Sequence, residues 1–255
     1  MQLQQAQTPG SAVSKKLFVS YAKSTDEVKA AQRLRYRVFA DEMGARLSGN
    51  EAGLDQDIFD PFCEHLLVRD GDSGEVVGTY RILPPDRAKK IGGLYSASEF
   101  DLTRLLHLSP AMVEVGRSCV HPDYRNGATI SLLWSGLAKY MLNHGYEYLM
   151  GCASVSMADG GHAAASLYNN LRVDNMSPIE WRVFPRCALP LDKLTRETCV
   201  PAPLPPLLKG YLQAGAYICG DPAWDPDFNT ADFLVLLPMS KVNRRYARHF
   251  LGVAA

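Results

Sequence analysis

No apolar run in this 255-residue chain approaches the ~20 residues that cross a bilayer, which excludes an ordinary membrane-spanning helix. Charge of one sign is not in excess: Lys plus Arg and Asp plus Glu both number 27, so no basic bulk points to nucleic acid. The six cysteines (Cys63, Cys119, Cys152, Cys187, Cys199, Cys219) show no C-x-x-C spacing, and the histidines are scattered. Neither a disulfide framework nor a metal site is therefore expected, and the thiols read as reduced thiols of a cytosol. The Gln/Ala/Ser-rich start, Met1 to Ser14, lacks the basic stretch and apolar core of a signal peptide and is expected to be a disordered head, residues 1–15. A cytoplasmic protein is expected, with contact at the surface of the inner membrane left open.

What is present fits a globular protein: 47% of residues are apolar and 21% charged. A first strand is expected over Lys16 to Tyr21. Thr25 is a plausible N-cap for a helix running to about Ala40, with Val28, Ala31, Leu34 and Val38 on one face. An acidic loop (Glu51, Asp55, Asp57, Asp60) leads to a hairpin, His65 to Arg69 and Val76 to Leu83, across a Gly-rich turn. Beyond an irregular span the pattern reads strand, long helix (Ile130 to Leu142), strand (Tyr148 to Ser154), helix (His162 to Leu171) and strand (Trp181 to Arg186). Leu189 to Pro206 is Pro-rich and suggests a connection. A helix (Leu207 to Ala214), a buried strand (Phe233 to Leu237) and a basic end with Arg244, Arg245 and Arg248 follow. The order predicts one α/β domain over 16–255, with a mixed, mostly antiparallel sheet. Its last part, about 189–255, is an extension.

The most informative stretch is Met112 to Ala128. A strand with two charges, Glu114 and Arg117, among apolar residues runs into a turn, a loop with Arg125 and Gly127, and the long helix. Charges in such a strand need a reason. A loop feeding a helix N-terminus gathers free N–H donors where a phosphate is welcome. Together they suggest a transferase that uses a phosphate-bearing acyl carrier.

These motifs resemble the GNAT superfamily of N-acyltransferases, whose pantetheine-binding segment matches Val120 to Arg125 with Gly127 and Ala128. The superfamily's Arg/Gln-x-x-Gly-x-Gly/Ala is reduced here to Arg125, Gly127 and Ala128, which favours the single phosphodiester of a carrier-bound arm over free acetyl-CoA. The chain also resembles acyl-homoserine lactone synthases in Arg35 with Phe39, in Asp55, Asp57 and Asp60, in Arg81, in Phe100, and in Glu114 with Arg117. Their tryptophan is replaced by Ala45. Over nearly the whole chain it is similar to the L-ornithine N-alpha-acyltransferases of bacterial ornithine lipid synthesis. Leu34-Arg-Tyr-Arg-Val-Phe39, Asp57-Ile-Phe-Asp60, Glu114-Val-Gly-Arg-Ser-Cys-Val-His-Pro122, Tyr148-Leu-Met-Gly-Cys-Ala-Ser154, Cys219-Gly-Asp-Pro-Ala-Trp-Asp225 and Asp232-Phe-Leu-Val235 carry that resemblance. It implies a GNAT fold with a splayed central cleft and no tightly bound cofactor. It also implies transfer of a 3-hydroxyacyl group from acyl carrier protein, or acyl-CoA, to L-ornithine. A lactone synthase and a non-catalytic carrier-binding module are the competing readings.

The chemistry assigns expected roles. An ammonium must lose a proton before it attacks a thioester, and Glu114 is the expected base. The alternative places Glu114 and Arg117 in a buried ion network with Arg35, Asp57, Asp60 and Arg81. On a regular strand Arg117 would face away from Glu114, so a bulge is needed for both to address one cleft. N–H groups between Gly116 and Cys119 are expected to hold the thioester oxygen. Arg81 or Arg117 would grip the ornithine carboxylate and Asp55 and Asp57 its distal ammonium. Tyr168 is the expected acid for the leaving thiolate, or else a core tyrosine. Cys119 and His121 lack a third orienting group, which disfavours a covalent mechanism. The basic end would meet the acidic carrier protein or anionic lipid.

Overall fold

A computed structural model describes residues 16–47, 49, 51–194 and 204–242. The head and the basic end with Arg244, Arg245 and Arg248 lie outside the described residues. Strands β1 (Leu17–Tyr21), β2 (Glu64–Asp70), β3 (Val76–Leu83), β5 (Met112–Val120), β6 (Tyr148–Ser156), β10 (Thr230–Pro238) and β8 (Tyr217–Ile218) form one sheet in that order. β9 (Ala223–Asp225) adds to β10, and β4 (Phe100–Asp101) pairs separately with β7 (Phe184–Pro185). Among the strand pairs of the described residues only β5–β6 is parallel, so the mixed, mostly antiparallel sheet is as expected.

The predicted elements recur with shifted ends. α1 (Thr25–Tyr36) is capped by Ser24, whose hydroxyl accepts the Glu27 N–H, so the cap lies one residue before Thr25. The chain then widens into a π-type turn over Arg37–Glu42. α2 (Pro85–Ile91) occupies part of the irregular span, α3 (Ala128–His144) is the long helix, and α4 (His162–Asp174) follows β6. The strand expected over Trp181 to Arg186 shrinks to β7, because a single turn of 3-10 helix takes Ile179–Trp181. α5 (Leu191–Leu194) lies within the Pro-rich span expected to be a connection, and α6 (Pro206–Ala214) begins at its end.

Alternation along the strands sorts the sheet into two faces. One carries Tyr80, Ile82, Val113, Val115, Leu149, Ala153 and Phe233, which form a continuous core with Leu133, Leu137 and Met141 of α3 and Leu167 of α4. α1 covers part of the other face, with Ala31, Leu34 and Phe39 against Leu67 and Cys119. That second face is interrupted by polar residues. The registers Arg81↔Gly116, Leu83↔Glu114, Glu114↔Met150 and Asp232↔Ser154 align Arg81, Glu114, Cys152, Ser154 and Asp232 as a seam across four strands. Buried polar groups cost free energy unless satisfied, so the seam marks where the sheet has been built for chemistry.

β5 and β6 pair only from Met112↔Tyr148 to Glu114↔Met150, and beyond that point they part. Gly151 sits at the vertex: a Cβ there would lie 2.3 Å from the Val115 carbonyl oxygen. Gly151→Ala should therefore destabilise the fold by about 1–3 kcal/mol, the cost of overpacking. At about 2–4 °C per kcal/mol for a chain of this size, thermal unfolding should show a Tm several degrees lower.

Candidate active site

The parted strands leave a cavity of about 480 Å³. Its wall includes Glu114, Arg117, Val120, Cys152, Asp225 and Asp232, and it extends to Arg125, Gly127 and Ile130 at the start of α3. The strand carboxylate and the loop before the helix thus border one space. The stretch from Val115 to Val120 has no strand partner on the β6 side, so its backbone forms an open edge along the gap.

Glu114 is 5% exposed. Among the described residues it pairs with no arginine within ion-pair distance, unlike the expected alternative of a shared ion network. Its carboxylate sits on a short turn instead: Oε2 accepts the Tyr95 N–H at 2.6 Å, and Oε1 accepts the Ser96 N–H at 2.8 Å and the Ser96 hydroxyl at 2.6 Å. A carboxylate offers about four acceptor positions. Three are taken, which leaves one on a side chain that borders the cavity. Burial pushes the Glu114 pKa above the ordinary range, against the pull of the hydrogen bonds from Ser96 and Tyr95.

The bulge expected between Glu114 and Arg117 is present. Gly116 faces Arg81 and Cys119 faces Thr79, so Arg117 and Ser118 together oppose Tyr80, with Arg117 at φ 50°. The kink returns Arg117 to the cavity side. There its guanidinium lies between the rings of Tyr95 and Phe228, 4.9 and 4.7 Å from their centres. Its ion pairs are loose, 3.2 Å to Asp55 and 3.5 Å to Asp57.

Arg81 is bound more tightly. Its Nη1 reaches both oxygens of Asp57 at 2.6 and 2.7 Å and Asp60 at 3.0 Å. Arg35, fully buried, holds Asp55 through Nε at 2.7 Å and Asp60 through both terminal nitrogens at 3.0 and 2.8 Å. Burial raises the Asp60 pKa, but Arg35 and Arg81 outweigh it and hold that carboxyl well below the ordinary range. Three arginines and three aspartates (Arg35, Arg81, Arg117; Asp55, Asp57, Asp60) thus balance one another. The expected structural network is there. Asp55 and Asp57 are corrected as substrate ligands, because arginines already occupy them and neither borders the cavity. Arg81 borders it, with its Nη1 committed to Asp57 and Asp60.

Tyr168 is also corrected. It is absent from the cavity wall and its hydroxyl donates to Asp221, so nothing aims it at a leaving group. Burial, then Asp221, raises its pKa to about 12. At the other end, Gly127 adopts φ 90° to start α3, and the Ala128 N–H is held by Asn126 Oδ1 at 3.1 Å. Arg125 is at the loop as expected, but its fork holds Glu42 at 2.6 and 2.7 Å and its Nε donates to the Val120 carbonyl. Cys119 is buried and its pKa is pushed up to about 12, mainly by burial, which argues against a thiolate nucleophile.

One part of the wall was not anticipated. Asp232, 4% exposed, stands beside Cys152 and Glu99, with one ligand-capable atom of each lying within 4.8 Å of the others. No nitrogen or hydroxyl donor reaches either buried carboxyl oxygen of Glu99. The signal for Asp232 was available, since it is a lone charge in an apolar strand, as Glu114 is. Glu99 comes from an irregular loop and left no periodic trace.

Comparison with known proteins places this geometry. A family model described as an acetyltransferase (GNAT) domain matches residues 34–135. An L-ornithine N(alpha)-acyltransferase of Rhizobium meliloti (strain 1021) is 42% identical over 248 residues, covering 90% of this chain and 82% of that protein. One of Agrobacterium fabrum (strain C58 / ATCC 33970) is 38% identical over 250 residues, covering 91% and 84%. Among solved structures, the AHL synthase LasI superposes with a TM-score of 0.53 at 13% identity, over 94% of this chain and 98% of that one. That likeness carries the fold.

Proposed function

Because the chain belongs to the L-ornithine N(alpha)-acyltransferase family, we propose that it moves a 3-hydroxyacyl group from a pantetheine thioester to the α-amino group of L-ornithine, giving a lyso-ornithine lipid. The observation that carries the reading is the single cavity joining Glu114 to the loop of Arg125 and Gly127 through the gap between β5 and β6.

The arm of acyl carrier protein, or of acyl-CoA, lies along the open edge of β5 as an added strand would, its amides meeting backbone groups there. Its phosphate end lies toward the loop before α3, where Arg125 exchanges Glu42 for the phosphate. The thioester carbonyl then sits near the bulge, with an N–H between Gly116 and Cys119 polarising it. Arg117, less firmly held than Arg81, takes the ornithine carboxylate. Glu114 uses its remaining acceptor position to draw a proton from the α-ammonium, directly or through a water. Glu114 passes that first proton on to water, the amine attacks the carbonyl carbon and the C–N bond forms; the second proton of the attacking nitrogen then returns to Glu114 and goes on to the departing thiolate as the C–S bond breaks. No covalent enzyme intermediate is needed.

Among the described residues no helix is long and apolar enough to cross a membrane. The reading places the enzyme in the cytoplasm, with its product destined for the surface of the inner membrane. The test is a panel of amino acids offered with one 3-hydroxyacyl carrier thioester, the products identified by mass spectrometry. The expected result is N-acylornithine as the main product. Consumption of S-adenosylmethionine with release of methylthioadenosine would instead install the lactone-synthase reading, and no transfer at all a carrier-binding module.

A further inference from the structure

We propose that Asp232 and Asp225, which border the cavity, together with Glu99, which does not border it but stands against Asp232, form the receptor for the second, side-chain ammonium of the amino-acid acceptor. This rests on the acceptor being ornithine and deepens that reading.

Three observations carry it. The first is charge. Of the arginines that border the cavity, Arg81 and Arg117 are balanced by Asp55, Asp57 and Asp60 and Arg125 by Glu42, whereas no basic side chain forms an ion pair with Asp225, Asp232 or Glu99 among the described residues. The second is unmet bonding capacity. Among the described residues no nitrogen or alcohol donor reaches either buried oxygen of Glu99, whose contacts are the Asp232 carboxyl and the Cys152 thiol, so an incoming N–H donor group finds acceptors uncommitted to any cation. Asp232 receives the Ser154 hydroxyl and the Thr230 hydroxyl, the latter at 3.0 Å, but no cation. The third is position. The Ser96 hydroxyl donates to Glu114 at 2.6 Å and contacts the Cys152 sulfur at 3.4 Å, and that sulfur adjoins the carboxyl pair. An amine at Glu114 and a second amine at the pair are therefore separated by the short span that a three-methylene side chain bridges.

The empty pair is not fully ionised. Burial, and then the Asp232 charge, push the Glu99 pKa far above the ordinary carboxylate range, and burial raises that of Asp232 too. The pair therefore keeps a proton until a cation arrives. A divalent metal is the rival occupant, since a thiol and two carboxyls converge. Burial and those carboxyls, however, push the Cys152 pKa well up and keep the thiol protonated, which suits an alkylammonium better.

The experiment compares L-ornithine with L-norvaline, the same carbon chain without the terminal amine. Glu99→Gln and Asp232→Asn should each raise the ornithine KM and reduce the preference for ornithine over norvaline by about 10-fold or more, as expected when a charged hydrogen-bond partner is lost. Titration calorimetry of the wild-type protein in buffers of different ionisation enthalpy needs no variant. There ornithine should release about one proton more than norvaline on binding. An unchanged preference in both folded variants, or equal proton release for the two ligands, overturns the proposal. So does loss of ornithine transfer on chelation with recovery on adding zinc. If the wild-type protein does not acylate ornithine at all, the functional reading fails. If it does so with an unaltered preference in the variants, only this inference fails.

Discussion

Glu114→Gln is expected to lower the single-turnover rate of acyl transfer by about 10²- to 10⁴-fold, the usual contribution of a positioned proton acceptor. The fold should persist. Gln retains an oxygen for the Ser96 N–H and hydroxyl, but its amide then faces the Tyr95 N–H where Oε2 had accepted it. That clash of donors costs about 1–3 kcal/mol, which lowers Tm by several degrees for a protein of this size. Circular dichroism and a melting curve separate this loss from unfolding. Ser96→Ala is the control, because it loosens the same turn while leaving the carboxylate in place. If Glu114 merely anchored the turn over Tyr95–Ser98, the two variants would lose activity to similar extents.

The largest stability effect is expected at Arg35. Replacing it by alanine strands the buried carboxylates of Asp55 and Asp60, which it holds through three hydrogen bonds. Breaking a buried pair from one side costs about 3–5 kcal/mol, so Tm should fall by about 6–20 °C. The effect should depend on pH in a definite direction. Asp60 has its folded pKa below its unfolded value, because Arg35 and Arg81 outweigh its burial. Its contribution is therefore present above the ordinary carboxylate range and lost as pH falls through and below that range. The gap between wild type and Arg35→Ala should be widest near neutral pH and should narrow in acid. Melting curves at a series of pH values check this, and a gap that widened in acid would contradict it.

How much of this the sequence disclosed depends on the kind of signal. Elements with strong periodicity were legible. The hairpin of β2 and β3, the long α3 and the apolar β10 fall where expected because each buries a face whose repeat matches its geometry. β7 was overestimated, since Trp181 and Phe184 look strand-like alone but the chain there turns before it pairs. At the site, Glu114 and Arg117 stood out as charges in an apolar strand, and the need for a bulge followed from the two-residue period of side chains. Partner choice was not legible. Whether Asp55 and Asp57 would meet substrate or arginine depends on which loop folds over which strand. Tyr168 was placed by resemblance alone, and Asp221, which holds it, lies 53 residues away. Glu99 approaches Asp232 only through tertiary packing.

The claim at the centre of this account is that the Glu114 carboxylate receives the proton of the attacking amine. The direct test is the pH dependence of single-turnover transfer, with carrier thioester and ornithine saturating, in wild type and Glu114→Gln. A base must be ionised, and burial raises the Glu114 pKa above the ordinary range. The wild-type rate should therefore decline as pH falls through that elevated pKa, and the variant should be slow and lack this acid limb. An acid limb of the same midpoint and steepness in the variant would contradict the account.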